Sequence, residues 1–311
     1  MRTVFFILAL AVVLPAIPIG VWREFVLDAA QFAFITTALA LSWNIMAATG
    51  QLSLAHGAFF GLGAYAAALA VNAAVPTPLA LLFGAGVAAI SSLLLGIATF
   101  RLHGIYFAIA TLAFSEVMRT LVNKAQFVGA TFGYPVPAAF GGAGGILTAY
   151  YLSVALLVLA TLVSLALQRS RLHYAFAATR QGEAVARVLG VPAVRMKLIA
   201  LLISSSLAGL AGGVYGMKTL FLLPPDAFGV HRAIEALVIP IFGGLYTTAG
   251  PLAGGLILVS LENVLRLWVG EGYLVGYGVV LVVAILFMPR GITGVIARAR
   301  RRRKEAPGAE D

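Results

Sequence analysis

QRSRLHYAFAATRQGEAVARVLGVPAVRMK, residues Gln168 to Lys197, is the long stretch of this chain that cannot lie in a bilayer. It carries six cations, Arg169, Arg171, Arg180, Arg187, Arg195 and Lys197, against one carboxylate, Glu183. Each charge at the centre of a membrane costs roughly 2.5–3.5 kcal/mol even on the lenient insertion scale. The segment is therefore aqueous, and its excess of Arg puts it on the cytoplasmic side. Its middle reads as a helix. Val185, Val188 and Leu189 form an apolar stripe, and Glu183 with Arg187 forms an i,i+4 pair on another face. Gly190, Val191 and Pro192 stop that helix. One reading is a basic loop that fixes orientation. The other is an amphipathic helix that docks on a cytoplasmic partner.

On both sides of this segment the chain is apolar. Hydrophobic residues make up 61% of 311 and charged residues 10%, with a mean hydropathy of +1.02. No soluble core needs that, so the fold class expected is an all-α polytopic membrane protein. The apolar runs do not alternate, which excludes a β-barrel. Cysteine is absent, so there is no disulfide framework and no thiol chemistry. His56, His103, His173 and His231 match no ligand spacing, and neither a metal nor a cofactor is expected. The net charge of +10 would suit nucleic acid, but topology explains it more simply.

About ten spans can be drawn. They are 3–20 (read as retained), 29–46, 57–71, 79–100, 104–117, 149–167, 198–217, 233–245, 251–267 and 273–288. Residues 1–297 then form the transmembrane domain, with 168–197 as its cytoplasmic insert, and 298–311 form a basic tail read as disordered. With both termini inside, fifteen of the 21 Lys and Arg fall on the cytoplasmic side and six outside, as the positive-inside rule requires. The tail RARRRRK then lies beside anionic lipid and needs no nucleic acid.

Two polar, glycine-rich turns interrupt the inner ends of the spans: SWNIMAATGQLSLAHGAFFGLGAY (42–65) and PIFGGLYTTAGPLAGG (240–255). Helix packing accounts for most of these glycines. A permeation path lined by Asn44, Gln51, Ser53, Thr247 and Thr248 is the functional reading, because irregular backbone at membrane depth is tolerated where it lines a cavity. Asn44 with GQLSLAHGAFFGLGAY resembles the permease subunits of branched-chain amino acid ABC transporters, of the LivM type. TLAFSEVMR (111–119), TRQGEAVARVLGVPAVRMKL (179–198), FGGLYTTAGPLAGG (242–255) and LFMPRGITG (286–294) agree with it, in matching order along nearly the whole chain. That resemblance implies an inner-membrane import subunit that is not itself an enzyme. Its partners would be a second permease subunit of the LivH type, two ABC ATPase subunits and an external solute-binding protein. It also implies that Arg180, Glu183, Val185, Arg187, Leu189 and Gly190 belong to a coupling helix seated in an ATPase groove. The chain departs from the family pattern at Leu172–Ala175 and at Gly129–Pro137. Similar permeases handle urea and short amides, and that substrate class stays open beside branched-chain amino acids.

Ionisable residues within the spans are few. Glu116 with Arg119, and Glu262 with Arg266, can pair along their own helices near the outer ends, where snorkelling carries them to the interface. No G-x-x-x-x-G-K-[ST] occurs, so the chain is expected to bind no ATP. An ion-coupled secondary transporter is the rival class and would want acidic groups at mid-membrane.

Overall fold

Nearly every apolar run continues as helix in the computed structural model, which describes residues 23–102, 104–137, 145–219, 221–272, 275–279, 282, 286 and 291–294. Helix α1 spans Arg23–Ala47, α2 His56–Asn72, α3 Thr77–Thr99 and α4 Ile105–Lys124. After short 3-10 turns comes the strand β1, Tyr134–Pro135. Helix α5 is Gly145–Arg169, α6 Arg171–Gln181, α7 Glu183–Val188 and α8 Ala193–Thr219. They are followed by β2 (Phe221–Leu222), α9 (Pro224–Ala227), α10 (Val230–Gly243) and α11 (Ala249–Val269).

Six of these helices, α1, α3, α4, α5, α8 and α11, are long and apolar enough to cross a membrane. Helices α2 and α10 have 17 and 14 residues, about 26 and 21 Å at ~1.5 Å per residue against a hydrocarbon core of ~30 Å. The first apolar run and the basic tail lie outside the described residues, and the last run is described only in part. The count of ten therefore reduces, among the described residues, to six.

Small residues set the packing. Helices α2, α3 and α8 lie against one another so closely that a Cβ on Gly63 would meet the Gly209 carbonyl oxygen at 2.2 Å. One on Gly212 would overlap the Phe60 carbonyl oxygen. Glycine at such crossings lets dispersion contacts between backbones replace the missing hydrophobic drive of a lipid solvent. Around this seam Trp43, Phe34, Phe59, Phe60, Phe107 and Tyr150 are fully buried. Helix α1 packs on α5, α8, α10 and α11, which makes α1 and α8 the two most enclosed of the long helices. Hydroxyls inside the bundle bond back to their own helix, as Thr99 does to the Leu95 carbonyl at 2.7 Å and Thr161 to the Leu157 carbonyl at 2.7 Å. No water is needed for them. Ser205 has the Leu202 carbonyl of its own helix at 3.1 Å and also bonds across to Ser92 of α3 at 2.9 Å. Helix α4 is the least enclosed, and its Ile105, Tyr106 and Ile109 face outward, as do Leu82, Phe83 and Ile97 of α3.

The aqueous segment folds differently from the single helix expected. It forms two helices, α6 and α7, broken at Gly182, whose φ of +133° is open to glycine and strained for other residues. Glu183 reaches out of its own helix. Its Oε1 accepts a hydrogen bond from Lys197 Nζ of α8 at 2.7 Å, and this ion pair pins α7 to the bundle. At the opposite end of α8, β1 and β2 form a two-residue antiparallel ladder, Tyr134 against Leu222 and Pro135 against Phe221.

Candidate functional site

The sequence-derived path residues gather where α1 and α10 end, next to α6. Asn44 is buried and bridges to the turn after α10: its Nδ2 donates to the Thr247 carbonyl at 3.0 Å, and its Oδ1 accepts from the Tyr246 amide at 2.9 Å. Tyr246 has a φ of +65°, a left-handed conformation costly for a residue with a Cβ. The two Asn44 bonds hold it there. Thr247 Oγ1 closes the turn by donating to Gly244 O at 3.1 Å and accepting from the Gly250 amide at 3.0 Å. Thr248 and Ser164 of α5 share a hydrogen bond of 2.7 Å. Ser53 and Gln51 sit in the buried loop between α1 and α2, where Trp43 Nε1 donates to the Ser53 carbonyl at 2.6 Å and Ser53 Oγ accepts from the Ala55 amide. Four of the five are buried and Thr247 is exposed. Asn44, Thr247 and Thr248 therefore come together, with Ser53 and Gln51 one loop away. Asn44, Ser164, Gln168, His173 and Tyr246 border a space of about 30 Å³, room for about one water.

The coupling residues divide between two roles. Arg180 stacks its guanidinium 3.9 Å over the Tyr246 ring, and its backbone lies against Gly50. It faces the bundle. Glu183 likewise faces α8 through Lys197. Val185, Val188 and Leu189 are exposed, Val188 at 87%, and Arg187 is exposed beside them. Gly190, with φ +72°, turns the chain into α8. An apolar face thus lies open on the aqueous segment between α5 and α8, next to the Asn44–Tyr246 junction.

At the far end of α8 a third group assembles that the sequence reading did not collect. His231, Glu235 and Glu262 bring one ligand-type atom each within 4.8 Å of one another. His231 Nε2 lies 3.1 Å from Glu235 Oε1, and Arg232 Nη1 lies 3.1 Å from Glu235 Oε2. The Arg232 guanidinium is also enclosed by the rings of Phe32, Phe60 and Tyr215, at 5.0, 5.6 and 4.8 Å. His231, Arg232, Glu262, Phe32 and Tyr215 border a cavity of about 380 Å³ between α1, α8, α10 and α11.

Residues 25–288 match the family model described as "Branched-chain amino acid transport system / permease component". The chain belongs to this family. It is 30% identical to the high-affinity branched-chain amino acid transport system permease protein LivM of Salmonella typhimurium, over 92% of this chain and 74% of that protein. Identity to LivM of Escherichia coli is 29% with the same coverage. The probable branched-chain amino acid transport permease protein LivH of Methanocaldococcus jannaschii is 28% identical over 59% of this chain and 58% of its own. No solved structure matches the chain.

In this permease component the expected Glu116–Arg119 ion pair forms, on the exposed side of α4. Glu262 corrects the other expectation. It does not snorkel to an interface but is 4% exposed, turned inward, while Arg266 one turn on is exposed. Glu235, 1% exposed, was missed altogether because one carboxylate barely alters the hydropathy of its run. The available signal was HRAIE, residues 231–235, which sets a His and an Arg four and three residues before a Glu on one helical face.

Proposed function

We propose that this chain is a LivM-type permease subunit of an ABC importer that moves branched-chain or similar small hydrophobic amino acids across the inner membrane. The observation that carries the reading is the open apolar face of α7, Val185, Val188 and Leu189, on a short helix held to α8 by Glu183 and Lys197. Exposed apolar side chains on a water-facing segment mark a partner surface. Family membership supports ATPase subunits as that partner, a LivH-type permease as its neighbour in the membrane and a solute-binding protein outside. The segment 168–197 and both termini then lie in the cytoplasm. A crossing number of ten would count α2, α10 and the runs at 3–20 and 273–288. Substrate energy comes from the partners: ATPase closure moves α7, and the bundle shifts between inward- and outward-open populations. Arg180 holds α6 to Tyr246 in this scheme, Arg187 rims the docking face, and Asn44, Gln51, Ser53, Thr247 and Thr248 form the junction that must rearrange at the inner end of the path.

The test is Val188→Asp. Val188 is 87% exposed, so in the free subunit the change costs almost nothing. In an assembled interface a buried apolar contact is replaced by a charge, at about 2 kcal/mol or more. Membrane level should stay normal while ATPase co-purification and leucine uptake fall at least tenfold. Wild-type co-purification and uptake in that variant would remove α7 as the docking helix. The ion-coupled rival could use the buried Glu235 and Glu262, but Arg232 and His231 already face Glu235.

A further inference from the structure

We propose that the cavity between α1, α8, α10 and α11 is a docking site for a zwitterion, in which Glu262 receives a primary ammonium and Lys218 and Arg266 face a carboxylate. This rests on the permease reading and deepens it, by naming residues at the end of the molecule opposite α7.

The cavity holds about 380 Å³, the space of roughly a dozen waters at ~30 Å³ each. Three carboxylates line it, Asp28, Asp226 and Glu262, and so do three permanent cations, Lys218, Arg232 and Arg266. A site for a simple anion or cation would be biased to one sign; this one is balanced. Phe32, Tyr215 and Pro225 supply an apolar wall for an aliphatic side chain.

Most of these charges are already matched. Arg232 has Glu235 and three rings, Glu235 has Arg232 and His231, and Lys218 lies 2.8 Å from Asp28, whose side chain is 66% exposed, a weak pairing that leaves the ammonium able to meet a second carboxylate. Glu262 keeps an open atom. It is 4% exposed, its Oε2 has no hydrogen-bond partner, and His231 Nε2 is 4.0 Å from its Oε1. A buried carboxylate oxygen without a donor is unfavourable, and it borders the cavity. An ammonium entering there would give it a charge-assisted hydrogen bond.

A divalent metal is the competing ligand, since His231, Glu235 and Glu262 converge. Arg232 already bonds Glu235, and two further cations line the walls. A metal would add two positive charges to that set. A zwitterion adds none in total and brings its own carboxylate to the cationic side.

The full-length chain in lipid nanodiscs tests this with four probes read by ligand-observed NMR: L-leucine, isoamylamine (ammonium only), isocaproate (carboxylate only) and Zn²⁺. L-leucine is expected to bind in the millimolar range, at least tenfold tighter than either half-probe. Glu262→Gln should weaken leucine and isoamylamine at least tenfold and leave isocaproate unchanged. Arg266→Gln, at an exposed position, serves if Glu262→Gln fails to insert; it should weaken leucine and isocaproate and spare isoamylamine. Equal binding of leucine by wild type and Glu262→Gln overturns the proposal, as does isoamylamine binding as tightly as leucine. Micromolar Zn²⁺ binding that expels leucine also overturns it and assigns the triad to a metal. Leucine uptake by cells separates the two readings. Uptake by wild type with no change in Glu262→Gln sinks the site alone, whereas no uptake by wild type sinks the amino-acid permease reading with it.

Discussion

Replacing Glu183 by Ala removes the carboxylate that holds α7 to α8. The Lys197 side chain is 2% exposed, that of Glu183 is 28% exposed, and the two atoms lie 2.7 Å apart. Breaking a fully buried pair costs roughly 3–5 kcal/mol, whereas an exposed pair is worth about 0–1 kcal/mol. Here the ammonium is sealed off and the carboxylate is partly wet, so the loss should fall between, at about 2–3 kcal/mol. At ~1.4 kcal/mol per decade that shifts the equilibrium between docked and released α7 about 30- to 150-fold. Helix α7 has six residues, far below the ~12–15 at which an isolated helix becomes marginally stable, so release means melting. Hydrogen exchange over residues 183–191 should accelerate by that factor, with the α3 amides as unchanged reference. Adding Lys197→Met removes the stranded ammonium and should bring exchange back to within a few-fold of wild type. Unchanged exchange in Glu183→Ala, or a double variant no better than the single one, would refute the reasoning.

Gly212→Ala places a methyl group on the Phe60 carbonyl oxygen. Overpacking of this kind typically costs about 1–3 kcal/mol or more, so a lowered unfolding temperature in detergent is expected, while Gly86→Ala, with open space around it, should leave it unchanged. Asn44→Ala deprives the Tyr246 amide and the Thr247 carbonyl of their partner. At about 0.5–1.5 kcal/mol for each part-buried hydrogen bond lost, faster exchange of the Tyr246 amide and reduced uptake should appear together.

The long helices were legible because each is an uninterrupted apolar run, but their ends were not. Helix α8 was expected to begin at Leu198 and begins at Ala193. A hydropathy count stops at Arg195 and Lys197, whereas the helix continues through them because Lys197 finds Glu183. Helix α4 runs to Lys124 rather than Val117 for a like reason: Glu116 and Arg119 pair on its surface and need not end it. The break at Gly182 was hidden because the residues around it suit a helix, and only the backbone angle reveals the turn. At the candidate sites, the inner turn was legible from its density of Asn, Ser, Thr and Gly. The outer cavity was not, since its members come from four helices and no local spacing joins Glu262 to His231.

Helix α8 has a mechanical consequence. Its 27 residues run unbroken from Ala193 to Thr219, which at ~1.5 Å each makes a rod of about 40 Å. Near one tip Lys197 is clasped by Glu183, and near the other Lys218 is clasped by Asp28. Rocked by about 10° around its middle, such a rod carries each tip roughly 3.5 Å in opposite senses, enough to slide one side chain past its neighbour. The glycine contact at Gly209 lies only about one turn from its midpoint at Ser206. That close crossing with α3 is therefore also where a see-saw motion displaces atoms least.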